Sequence, residues 1–388
     1  MCVWPNDFQK SSIGAIIKFI VNISAGFLMS CVVISNILCI AYKAESNEEK
    51  FDIMGPTFFY GMSTLKYFLF LYRAEALKKS FEHLEEDWMY VDTKEREIML
   101  KNAKFGRIMS IYFAIFLYSG GAGHHFIKPF LSDSILTEMN ISVKPFPSPV
   151  YGGIFNTGYS PLYEFTFAAV IIADMFIISM APLTFNITAI LLIHACGQFE
   201  IINLNLHDVV SGLSKKESTA QERLVAIIKS HIRHFTIKKY YQTINNFFAF
   251  SYVSYLDKVF CEIFLVEILG CAINLSLLGY FSVTNWKAGN LGNFINFAIL
   301  LNVFIFNIFI YAYFGELLTI QAEKVGNTGY MIEWHKLPRN ISLELSFFIQ
   351  VCQFPIRVTA GKVVFLSMTT FTAIIKSAAA YLNIIWKM

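Results

Sequence analysis

Apolar residues gather along this chain in seven long stretches, separated by polar segments. The stretches run over 13–42, 51–72, 107–127, 162–193, 258–283, 293–318 and 362–386. Each meets the roughly 20 mostly apolar residues that a helix needs to cross a bilayer. They are unequal. The second contains Gly55, Pro56, Gly61 and Lys66 and is the weakest. The fourth carries Asp174 and Pro182 and exceeds the length of a span, which predicts tilt or a helix running on past the bilayer. Residues 73–106 are charged with helical character. Residues 128–161 hold Pro129, Pro145, Pro147, Pro149 and Pro161 and predict an irregular loop. Residues 194–257 place Ile201, Leu204, Val209, Leu224, Ile227 and Ile228 at helical spacing, which predicts ordered amphipathic helices; 319–361 is similar.

Composition supports a lipid-embedded chain. Of 388 residues, 55% are hydrophobic and only 15% charged, against about 25% charged in ordinary soluble domains. Mean hydropathy is +0.52. The 39 Phe, 19 Tyr and 5 Trp suit an interfacial belt, helix packing or an apolar pocket, and composition does not choose among these. A net charge of +3 is too small to argue for nucleic acid. The cysteines at 2, 31, 39, 196, 261, 271 and 352 form no CxxC pair, so neither a zinc site nor a redox motif is signalled. The first apolar run is too long for a signal-peptide core and reads as a retained helix.

Lys and Arg set the orientation. Eight lie in 73–107, seven in 194–257 and four in 319–361, with Lys10 on the same side; the opposite segments 43–50, 128–161 and 284–292 hold two, two and one, with Lys387. The positive-inside rule then places the N-terminus in the cytoplasm and the C-terminus outside. A G-protein-coupled receptor has seven helices the other way up. The chain also lacks a DRY-like triplet after the third stretch and an NPxxY-like element in the seventh.

Catalytic signatures are absent: there is no HExxH, GxSxG, GxxxxGK[ST] or paired intramembrane Asp. His124 and His125 are adjacent and point apart on a helix, which favours a polar pocket rim over a metal. His231 and His234 sit among Lys229, Arg233, Lys238 and Lys239 and read as a basic helix face. Ionisable residues inside spans are costly and often functional; here they include Lys66, Asp174, Glu262, Glu267 and Lys376. Glu262 is four residues from Lys258, a spacing that predicts a local pair. Asp174 and Glu267 face a cavity or hydrogen-bond a neighbouring helix, and the sequence leaves both readings standing. A secondary transporter would use such groups, but no repeat relates the two halves.

Residues 311–338 read YAYFGELLTIQAEKVGNTGYMIEWHKLP, ending Trp334-His335-Lys336-Leu337-Pro338. This resembles the insect odorant-receptor pattern at the inner end of the sixth helix, with His where Tyr is usual. Thr359 to Lys362, Leu366 to Phe371, Ile374 to Lys376 and Tyr381 also fit, as does the weaker His194–Glu200 motif. The specific likeness covers roughly 190–388. GELLT and WHKLP favour the odorant branch over the sister gustatory receptors, a gustatory-type ligand-gated channel being the alternative. The long inner insertion of the obligate co-receptor is not evident in 194–257, so the resemblance implies a ligand-tuning subunit.

The resemblance implies an all-α membrane protein with a tetrameric channel fold. Seven transmembrane helices and a cytoplasmic N-terminus would be joined to a cytoplasmic helical anchor domain. Helices 1–4 would occupy 1–193, with the outer Pro-rich loop at 128–161. Anchor segments would occupy 194–257 and 319–361, helices 5–6 would occupy 258–318, and the pore-lining helix 7 would occupy 362–388. It implies an odorant-gated, non-selective cation channel in the cell membrane, working as a heterotetramer with olfactory co-receptor subunits, with no cofactor, no metal and no catalytic residue. Pore and gate candidates are Tyr381, Ile384, Ile385, Lys387 and Met388. Ile384 and Met388 would form an apolar gate that blocks ions by dewetting. Lys387 would face away from the pore, be tolerated among co-receptor subunits, or snorkel to the interface. A small volatile apolar ligand would bind in the outer half of the bundle, held mostly by shape and dispersion. Candidates there are Phe59, Tyr60, Ser63, Tyr118, Ala122, His125, Phe165, Phe167, Ala169, Tyr280, Phe294 and Phe297.

Sequons test the topology. Asn140-Ile-Ser lies in the expected outer loop and Asn340-Ile-Ser in an expected inner segment, while Asn22, Asn186 and Asn274 fall inside spans. Glycosylation mapping is expected to find Asn140 modified and Asn340 bare; the reverse result overturns the orientation.

Overall fold

A computed structural model of the chain describes residues 12–89, 91–122, 135–136, 142–152, 159–211, 252–333, 339–353 and 356–387. Helix α1 (Ser12–Leu38) continues through a π turn at Cys39–Lys43. Helix α2 (Asn47–Tyr72) starts at Ser46, whose hydroxyl accepts from the Glu49 amide at 3.1 Å. Then come α3 (Ala74–Met89), α4 (Thr93–Ala122) and a two-residue hairpin, β1 (Ile135–Leu136) with β2 (Ser142–Val143). The long helices are α5 (Leu162–Ser211), α6 (Tyr252–Lys287) and α7 (Leu291–Met331). Last are α8 (Arg339–Cys352), a second hairpin of β3 (Thr359–Ala360) and β4 (Val364–Phe365), and α9 (Met368–Lys387).

Four of these helices are long and apolar enough to cross a membrane among the described residues: α1 with its π turn, α5, α6 and α7. The apolar run of α2 is diluted by Gly55, Pro56, Gly61, Ser63, Thr64 and Lys66. At 1.5 Å per residue, α5 is about 75 Å long, α7 about 62 Å and α6 about 54 Å. Each outlasts a hydrocarbon layer about 30 Å thick. The boundaries expected at 193 and 318 therefore fall inside continuous helices.

Helix α5 is the central post, packed by α1, α2, α4, α6 and α7. Of its most apolar 18-residue window 72% is buried, against 28–44% for α1, α6 and α7. Aromatic rings fill the contacts of α5 with α4 and α7, and of α6 with α7: Phe113 of α4 and Phe185 of α5 lie 4.6 Å apart between centroids, Phe185 and Phe314 of α7 5.7 Å, and Phe264 of α6 and Tyr311 of α7 5.8 Å. The outer face of α1 exposes Ile13, Ile16, Phe19, Ile20, Ile23, Phe27, Ile34 and Ile37. A continuous apolar stripe of that length suits lipid contact and would drive aggregation in water.

Helix α9 rests on α6 and α7, and residues of the YxYFGELLT stretch build its seat. A Cβ on Gly315 would fall 2.2 Å from the Leu366 carbonyl oxygen, so only glycine lets that backbone come so close. Glu316 Oε2 accepts from the Met368 amide at 3.3 Å, and the Ser367 hydroxyl accepts from Thr370 N at 3.2 Å, so two side chains serve the start of α9. The preceding hairpin is tied to α6: Asp257 Oδ1 accepts from Thr359 N at 2.6 Å and Thr359 Oγ1 at 2.8 Å, and Gly361 N donates to Cys261 O at 2.8 Å. Gly315→Ala forces the Leu366 backbone to move. It is expected to cost about 1–3 kcal/mol and to lower the melting temperature of the purified protein; an unchanged melting curve would refute this account of the seat.

Candidate functional site

Asp174 and Tyr60 are fully buried on α5 and α2, out of reach of bulk solvent, so their polar atoms need partners. Ser148, from the Pro-rich segment before α5, meets both. Its hydroxyl donates to Asp174 at 2.8 and 3.0 Å and lies 2.9 Å from the Tyr60 hydroxyl. The same segment is held by Ser35: Tyr151 N donates to Ser35 Oγ at 2.9 Å, and Ser35 Oγ donates to Pro149 O at 3.2 Å. Tyr163 OH donates to Lys144 O at 2.9 Å, and Phe146 packs on Tyr163 and Phe167 at 5.3 and 6.1 Å. Residues 144–151 thus tuck into the bundle between α1, α2 and α5. The sequence offered Asp174 a cavity or a neighbouring helix; the hydrogen bonds it accepts from Ser148 come from a loop segment.

The other ligand candidates fall into separate groups. Phe59 contacts Tyr60 and Phe304 at 6.2 and 6.0 Å, and Ser63, one turn on, is buried. Tyr280 and Phe297 sandwich Phe281 at 5.6 and 5.2 Å, with Phe51 against Tyr280 at 5.8 Å. Phe294 packs on Trp286 at 5.0 Å. Tyr118 is 44% exposed and donates to Ser179 Oγ at 3.1 Å, Ala169 is half-buried, and Phe165 is 72% exposed. His125, Asn140 and Met388 lie outside the described residues, as do the WHKLP stretch and the side chains of Ala122, Tyr381, Ile384, Ile385 and Lys387.

A second buried polar cluster joins three helices. Lys66 Nζ on α2 lies 2.6 Å from Glu267 Oε2 on α6, with both side chains almost fully buried. Glu267 Oε1 accepts from Asn307 Nδ2 on α7 and from Cys271 Sγ at 3.8 Å, and Asn307 Nδ2 also reaches Cys271 Sγ at 3.2 Å. The sequence named Lys66 and Glu267 as intramembrane charges but did not pair them. The available signal was one unmatched cation and one unmatched anion in different apolar stretches. Glu262, for which Lys258 was the expected partner, holds Arg73 at 2.9 and 3.3 Å. That pair is largely exposed.

Breaking a buried pair on one side strands the other charge, at a cost of about 3–5 kcal/mol. Lys66→Met is therefore expected to lower the melting temperature in detergent. Adding Glu267→Met should recover most of the loss, because the stranded carboxylate is gone. Equal melting curves for wild type and the single variant would refute the assignment.

The model of the 7tm Odorant receptor family matches residues 46–379, most of the chain and well beyond the half in which the motifs are readable. Odorant receptor 13a of Drosophila melanogaster is 23% identical over 205 residues, 50% of this chain and 45% of that protein, so the match spans under half the relative's length. The insect olfactory receptor OR5 from Machilis hrabei superposes with a TM-score of 0.76 at 14% identity, covering 98% of this chain and 91% of that one. Its complex with eugenol gives 0.75, covering 99% and 92%. With a family match of this extent and apolar helices that face outward, the chain belongs to the 7tm Odorant receptor family and is a multi-pass protein of the cell membrane.

Proposed function

We propose that the chain is a ligand-tuning subunit of an odorant-gated, non-selective cation channel, assembled with olfactory co-receptor subunits as a heterotetramer. Helix α9 carries this reading. One face, with Phe371, Ile374, Ile375 and Ala378, packs against Cys271, Leu275 and Ile308 of α6 and α7. The opposite face, with Thr369, Thr372, Ala373, Lys376, Ala379 and Ala380, is exposed in the single chain. A helix of this polarity suits a wet pore or a neighbouring subunit better than lipid on that side. In the proposed assembly seven helices span, the N-terminus is cytoplasmic, Ile384 and Met388 gate the pore, and the cytoplasmic ends of α5 to α8 hold subunits together. The ligand is a small volatile apolar molecule, a class consistent with the eugenol complex of the Machilis receptor. It binds in the outer half, where aromatic groups such as Phe281/Phe297 and Phe59/Phe304 offer apolar surface.

The test is current recorded from cells given an odorant panel, with and without co-receptor. Odour-evoked cation current is expected only when both subunits are present. Phe297→Ala or Tyr118→Ala is expected to shift potency with surface expression retained. Substrate flux without current would overturn the channel reading, and unaltered dose–response curves for both variants would overturn the pocket placement.

A further inference from the structure

Helix α2 meets α6 at two adjacent points. The first is the Lys66–Glu267 ion pair. The second lies one turn away on both helices: the Met62 side chain sits in the notch left by Gly270, where an added Cβ would fall 1.8 Å from Met62 Sδ. Sliding α2 along α6 would therefore lift Met62 from its notch and pull an ammonium from a carboxylate in apolar surroundings. Apolar side chains alone can repack past one another at modest cost, whereas separating buried opposite charges is strongly opposed. The contact is stiff, and a stiff contact passes displacement on.

What it passes displacement to is the bed of α9. Cys271, one turn from Glu267, touches the Glu267 carboxylate and belongs to the apolar cluster that receives Phe371, Ile374 and Ile375. Asn307 ties α7 into the same carboxylate. A small cavity separates Glu267 and Tyr311 from Thr370 and Phe371 of α9. The Tyr311 hydroxyl is buried beside it, with no hydrogen-bond partner among the described residues. On the other side, Lys66 is one turn from Ser63 and two turns from Phe59 on α2.

We infer that Lys66 and Glu267, with Met62 seated at Gly270, are positioning residues for gating: they carry a ligand-driven shift of α2 to the α6/α7 surface on which α9 rests. This rests on the channel reading above. The pair touches neither ligand nor permeant ion. Its loss should weaken the response to every odorant by a similar factor, whereas loss of a pocket residue changes odorants unequally.

The experiment uses the full chain with its co-receptor and compares wild type with Lys66→Met/Glu267→Met, which removes both charges and strands neither. Surface-labelled receptor, half-maximal odorant concentration and maximal current per surface receptor are measured for three chemically dissimilar agonists. The expected result is normal surface labelling, at least a fivefold rise in half-maximal concentration or fall in maximal current, and the same factor for all three. Should the double variant fail to reach the surface, Glu267→Asp carries the same test, since it keeps the charge and shortens the arm by one methylene. Wild-type responses from the variant that reaches the surface overturn the inference, as do factors that differ between agonists. Absence of any odour current from wild type would overturn the channel reading instead, which keeps the two failures distinct.

Discussion

A carboxylate buried from bulk solvent must find donors within the protein, and Glu267 finds them on three helices. Lys66 reaches it from α2, Asn307 from α7 and Cys271 from its own helix. No one of these helices can rotate or slide without stranding a polar group. The same constraint acts at Asp174, where Ser148 is a donor and the element held is a loop segment. Between helices in lipid the hydrophobic effect supplies little orientation, because side chains facing lipid and side chains facing protein are in similarly apolar surroundings. Buried polar contacts of this kind fix which faces meet.

Close packing at small residues supplies the rest. Gly315 admits the Leu366 backbone, Gly279 admits Leu382, and Gly326 and Gly329 lie against Cys352 and Ile349 of α8. Gly279, Gly315 and Gly326 sit within helices, where the lack of a side chain would ordinarily weaken the helix by about 1 kcal/mol relative to alanine. Their use is the approach of another backbone or a large side chain, which gains dispersion contact along the whole interface. A fold held by a few polar keys and glycine notches fits a TM-score of 0.76 at 14% identity. Most apolar positions are free to change as long as they stay apolar and of similar bulk.

The long helices were legible in the sequence because hydropathy is local: α1 and α6 begin and end near the expected limits, while α5 and α7 begin near them and run on past 193 and 318. What depends on tertiary partners was not. Lys66 made the second stretch read as the weakest, yet it is the residue that pins α2 to α6. The i,i+4 rule offered Lys258 to Glu262, and Arg73, distant in sequence, is found there. The 128–161 segment reads as an irregular loop, and nothing in its proline spacing announces that Ser148 enters the bundle. GELLT was legible as text, but its physical sense appears only when the Leu366 backbone is seen against Gly315 and the Met368 amide against Glu316. The aromatic candidates were chosen by depth along their helices. Depth alone does not say which rings share a cavity, and so they fall into several groups.

In the proposed channel, the energetics of gating favour a stiff link between α2 and α9. A ligand shifts an equilibrium only by the difference in its affinity for the two states. Moving a closed-to-open ratio from 1:99 to 99:1 takes about 5.5 kcal/mol of that difference. The best very small ligands reach at most about 1.5 kcal/mol of binding free energy per non-hydrogen atom, most reach far less, and association itself costs several kcal/mol. Under that proposal a small odorant has little to lose to soft packing between its pocket and the pore. Sharing the work among subunits reduces what each ligand must provide, but it does not help if the displacement dissipates within one subunit. On α2 the Met62–Gly270 notch lies among the outer-half ligand candidates, and the Lys66–Glu267 pair lies one turn on, one turn along α6 from Cys271 in the bed of α9. Apolar repacking there would let the two ends move independently, and a buried ion pair resists that independence.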